Sequence, residues 1–92
     1  MAAEKIGYAT ITNTAPVTVK QGPAGFFGFT VTASTSASIT VYDNTAASGT
    51  PLYSKTGLAL GETVHFGGLG FAAKNGLHVV VDGTGTVNVL YT

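Results

Sequence analysis

Apolar and β-branched residues alternate with polar ones along most of this chain, and Gly, Pro or Asn interrupts the alternation every few residues. Successive side chains of an extended backbone point to opposite faces, so a period of two marks strands with one buried side. The pattern predicts an all-β domain with no helix longer than about two turns. Strands are expected at residues 6–12, 17–21, 26–32, 39–43, 52–56, 62–66, 77–82 and 86–91. Asn13 to Pro16 separates the first two, and Gly22-Pro23-Ala24-Gly25 carries turn chemistry. The small-residue run 33–38 reads as a loop, and 44–49 and 57–61 read as turns. Residues 67–76 form the longest irregular connection, with one helical turn expected at 71–74. Asp82-Gly83-Thr84-Gly85 lies between two β-branched runs and reads as a hairpin turn. Pro51 places the strand that follows it at a sheet edge, because Pro cannot donate to a ladder.

Seven or eight short strands at this spacing make a single antiparallel β-sandwich, a jelly roll being one such arrangement. One domain over residues 1–92 is expected, with the first few residues as an extended arm. Alternation assigns the core to Phe27, Phe29, Val31, Ile39, Val41, Val64, Phe66, Val79, Val81, Val87 and Val89. A chain of this size exposes about 5,000 Å² when folded, enough for one small core. No cysteine is present to staple it, which is compatible with a reducing cytosol.

Charge sets the way of life. Only 9% of residues are charged, with a net charge of zero, where a soluble domain carries about 25%. Such a surface has little to keep copies apart, so it is expected to be finished against other protein. The four basic residues are the scattered Lys5, Lys20, Lys55 and Lys74, and arginine is absent, which argues against nucleic-acid binding. No apolar run is long enough to span a membrane, and the first residues do not read as a secretory leader. The strand at 86–91 has no charge at all, so it is either central in the sheet or paired with another chain. Tyr42, Tyr53, Val89, Leu90 and Tyr91 are the interface candidates, with Val89 or Leu90 facing outward.

The sequence carries few residues arranged for chemistry. Gly68-Leu69-Gly70-Phe71-Ala72-Ala73 fits a dinucleotide-loop pattern, but Asn75 and Gly76 end any helix within a turn of it. A pyrophosphate needs the N-terminus of a real helix, so a turning loop is the better reading. His65 and His78, with Asp43 or Asp82, lack metal-ligand spacing, and no metal or other cofactor is expected. The carboxylates Glu4, Asp43, Glu62 and Asp82 sit at termini or strand–turn junctions, where Asp43 and Asp82 read as turn formers. With no nucleophile signature, an enzyme is not expected. Tyr8, Tyr42, Tyr53 and Tyr91 suit packing and interfaces better than sugar stacking.

One resemblance adds a context. Val41-Tyr42-Asp43-Asn44 with Ser48-Gly49-Thr50, then Lys74-Asn75-Gly76-Leu77, then Gly85-Thr86-Val87-Asn88-Val89 all lie within residues 39–92. In these motifs the chain resembles small all-β bacteriophage virion structural proteins of the head-decoration or head–tail accessory type. The resemblance implies a non-catalytic, multicopy virion component, made in the host cytoplasm and acting through protein–protein contacts. Capsid decoration or cementing is the leading expectation, as a homo-oligomer such as a trimer bound to a major capsid or tail protein. A tail or head-fibre component is the alternative within that class. From another class, a glycan- or receptor-binding module on the virion would use Tyr42 and Tyr53.

Overall fold

The computed structural model describes residues 7–13, 16–66 and 70–92. The expected N-terminal arm, and Glu4 and Lys5 with it, lies outside them. All regular structure among the described residues is strand: β1 (Gly7–Thr12), β2 (Val17–Gln21), β3 (Ala24–Tyr42), β4 (Pro51–Leu58), β5 (Thr63–His65), β6 (Phe71–Ala73) and β7 (Gly76–Tyr91). Every pairing is antiparallel, and the seven strands form one hydrogen-bonded sheet with β7 and β3 at its centre.

Two strands are far longer than the sequence suggests. β3 has 19 residues and β7 has 16, and they pair from Phe26↔Tyr91 to Tyr42↔His78. The small-residue run 33–38 is therefore part of β3, and Asp82-Gly83-Thr84-Gly85 lies inside β7 rather than in a hairpin. The glycines there bend the chain instead of reversing it. Gly83 has φ +80°, Ser36 opposite it has φ 56°, and a Cβ on Gly83 would run into the Ser36 carbonyl oxygen. The register slips at Val31/Ala33 and again at Thr35/Ser38, which sharpens the twist at this point.

The flanking strands follow the same crease. β1 pairs with residues 86–91 of β7 and β2 with residues 76–79, so the two strands lie along β7 on either side of the bend. On the far side, β4 pairs with residues 37–42 of β3, β5 with 28–30 and β6 with 24–26. The result is a four-path antiparallel sheet folded in half into a two-layer sandwich. Layer one holds β1, the second half of β7, the first half of β3, β5 and β6. Layer two holds β2, the first half of β7, the second half of β3, and β4.

Contacts between the layers show the closure. Tyr53 of layer two lies 5.8 Å from Phe29, 6.2 Å from Phe26 and 5.1 Å from Phe66, all from the layer-one side (ring centroids). Phe66 stacks on Phe71 at 4.5 Å, so one open side of the sandwich is sealed by aromatic rings. Near the crease, Lys55 on the inner face of β4 is ion-paired with Glu62, which also accepts from the Ala59 N–H at 3.0 Å. A charge turned inward on an edge strand discourages further strand addition there. At the other end, Asp43 accepts from the N–H groups of Lys74 (2.9 Å) and Asn75 (2.8 Å), where the chain crosses from β6 into β7.

The core matches the alternation at eight positions: Phe29, Val31, Ile39, Val41, Val79, Val81, Val87 and Val89 are all buried. Val64 and Phe66 are half-buried at its margin. Phe27 is a correction. The register slips between Phe26 and Gly28, so Phe26 turns inward and is fully enclosed while Phe27 lies outside the core cluster. Ile11, Ala37, Leu58, Ala73 and Leu77 complete the core. The exposed area is 5040 Å².

Candidate interaction surface

Strand pairing places every described outward side chain. On layer one, Tyr8, Leu90, Gly28 and His65 form one row across four strands, and Thr10, Asn88, Thr30 and Thr63 form the next. Thr12, Thr86 and Thr32 continue toward the crease. Inter-strand spacings of about 4.8 Å make this face about 15 Å across. Its polar groups knit sideways: the Thr10 hydroxyl donates to Asn88 Oδ1 at 2.6 Å, and the Thr32 hydroxyl donates to the Thr86 carbonyl at 3.3 Å. Among the described residues the face carries no Asp, Glu, Lys or Arg.

The described charges lie elsewhere. Lys20 and Lys55 are on the two opposite edges of layer two. Glu62 is at the crease, Asp43 and Lys74 are at the open end, and Asp82 leads into the bend. Asp43 does not bond its own turn. It holds residues 31 and 32 positions away, and their N–H groups keep its carboxyl below the ordinary 3.8. Its neighbour Asn44 makes the local turn, accepting from the Thr45 N–H and donating to Ser48.

The two histidines are not brought together. His65 is on the outside of layer one and His78 on the outside of layer two. Thr18 gives its single hydroxyl proton to the Thr45 carbonyl at 3.0 Å, so His78, 2.9 Å away, donates to it through Nδ1. Among the described residues no cluster of three or more His, Asp or Glu is placed to hold a metal. Phe71–Ala73 is a strand, not the expected helical turn, so the glycine pattern beginning at residue 68, partly outside the described residues, opens no helix. No described helix is long and apolar enough to cross a membrane.

The interface candidates separate cleanly. Val89 is fully enclosed and presents nothing to a partner, whereas Leu90 faces outward beside Tyr8. The uncharged strand at 86–91 is central, between β1 and β3, which explains its lack of charge without a partner. Tyr91 packs against the core. Tyr53 shares the inner face with its partner Val41, and Tyr42 lies outward beside His78, with ring centroids 6.5 Å apart. Tyr42 and Tyr53 therefore face opposite sides of layer two and make no common sugar platform. Tyr8, grouped with the other tyrosines by sequence but not singled out as an interface candidate, is 68% exposed and the most exposed aromatic side chain described. Its prominence comes from β1 being an edge, a fact of pairing rather than of local sequence.

Compared with protein families, curated proteins and solved structures, the chain matches none.

Proposed function

We propose that this protein is a non-catalytic, multicopy structural component of a bacteriophage virion, decorating or cementing the capsid through protein–protein contacts. The observation that carries the reading is the uncharged outer face of layer one, with Tyr8 and Leu90 at one end of a field of threonines. Hydroxyl and amide groups cost far less to desolvate than charges and find new hydrogen bonds readily. Interface centres are depleted in charge, as this face is, and Tyr8 adds one exposed aromatic ring of the kind they favour. An open sheet face suits a broad protein surface better than a small ligand, which needs a concave site. The sequence resemblance to phage head proteins points the same way.

The test is a denaturing gel of purified virions with mass-spectrometric stoichiometry. A virion role predicts this chain in a fixed, high ratio to the major capsid protein. Added back to particles that lack it, wild-type protein should bind, and Thr30→Lys, in the middle of the face, should bind at least tenfold more weakly. Absence from the particle, or presence in one or a few copies, would overturn capsid decoration.

A further inference from the structure

We propose that the edge of β1 turned away from β7 pairs, over residues 9–11, with β1 of a second copy, antiparallel about a two-fold axis near Thr10, so that layer one continues from one subunit into the next. The inference adds the surface for self-association to the virion reading and does not depend on the capsid face.

Five strands lie at the margins of the folded sheet, and four of them are blunted. β2 carries Lys20 and a register slip between Thr18 and Lys20. β4 begins at Pro51, turns Lys55 inward and slips twice. β5 and β6 are three residues each. Short strands, lysine, proline, inward charge and bulges are the devices by which sheets prevent edge-to-edge pairing. β1 has none of them. Its six residues, Gly-Tyr-Ala-Thr-Ile-Thr, carry no charge and no proline, and they run beside β7 without a slip. Among the described residues, the only strand paired with β1 is β7.

A second copy is the occupant because the edge complements itself. An antiparallel pair presents donors to acceptors in both directions, which a two-fold axis satisfies with one surface. Without charge on β1, two copies meet with no like-charge repulsion. Inner and outer faces are kept only if odd residues oppose odd ones, since a one-residue slip would turn Ile11 out of the core. Thr10 opposite Thr10, with Ala9 opposite Ile11, meets that condition. It also brings the exposed Tyr8 of each copy onto its neighbour's sheet and doubles the uncharged face. An edge meeting its own copy closes as a dimer, whereas a trimer requires two different surfaces.

The absence of cysteine makes the experiment simple, because one introduced thiol is the only thiol present. Cα atoms of directly opposed residues are about 5 Å apart, within disulfide range. Thr10→Cys should therefore oxidise to a covalent dimer with retained strand content, while Ser48→Cys, in the exposed 44–49 turn, should remain monomeric. In parallel, wild type should sediment as a concentration-dependent dimer, and Tyr8→Lys/Thr10→Lys should weaken association at least tenfold with an unchanged circular dichroism spectrum. A monomeric wild type, or equal cross-linking at positions 10 and 48, would overturn the pairing. A dimer through β1 that never enters virions would remove the virion reading and leave this one standing. A monomer found in virions at high copy number would do the reverse.

Discussion

At Gly28 the backbone takes φ +146°, and a Cβ there would collide with the carbonyl oxygen of Val64 on β5. Only glycine accommodates both the dihedral and the close approach. The bulge it permits gives β3 one extra residue beside β7, and this decides which phenylalanines fill the core. Phe26→Ala should therefore cost about 3–5 kcal/mol, as should Phe29→Ala, whereas Phe27→Ala should cost about 1 kcal/mol or less. Gly28→Ala should destabilise by more than about 1 kcal/mol, because the backbone conformation itself is disfavoured for alanine. Chemical denaturation of the four variants checks the set, and equal losses for Phe26 and Phe27 would contradict the bulge. The sequence contained the clue: a glycine between aromatic residues inside a strand is a bulge signal. Alternation without that signal selects Phe27.

Elements are held at both ends of the sandwich by carboxylates. Asp43 ties the β6–β7 link to the end of β3, and backbone donation from Asn75, then Lys74, lowers its pKa. Glu62 is lowered by its hydrogen bond from Lys55, then by the Ala59 N–H, and the same pair raises Lys55 above 10.5. A carboxyl depressed on folding contributes stability above its unfolded value and loses it as pH falls through the folded value. A raised lysine contributes below its unfolded value and loses that contribution as pH rises through the folded one. The contribution of these three groups to the thermal midpoint should thus be full between the ordinary carboxyl values of 3.8 and 4.5 and the lysine value of 10.5, and be lost beyond both limits. Asp43→Ala should lower the midpoint at neutral pH and make its acid decline shallower, read by melting curves across pH. An acid decline as steep as that of wild type would contradict the role given to Asp43. At this scale the strands at residues 17–21 and 39–43 and the edge position after Pro51 were legible, because alternation and proline are local. The crease was not. Gly83 supplies the same positive φ to a bend within a strand as to a hairpin turn, and only the pairing of β7 with β3 across it tells them apart.

For the whole molecule, the uneven placement of charge matters more than its scarcity. Among the described residues, charges sit at the crease, the open end and layer two, and none lies on the outer face of layer one or on β1. Low charge was visible in the composition, but its segregation required the fold. Leu90 was legible as a surface residue by parity, and the choice between it and Val89 is settled by the core. A face without charges costs little to bury, and a stable interface covers about 800 Å² per partner, close to a sixth of the 5040 Å² exposed here. As proposed above, this surface is one that other protein covers. Sedimentation of the wild-type chain over a wide concentration range, alone and with phage capsids, tests it most directly. The account predicts reversible self-association and co-sedimentation with capsids. A soluble monomer at every concentration, with no affinity for capsids, would contradict it.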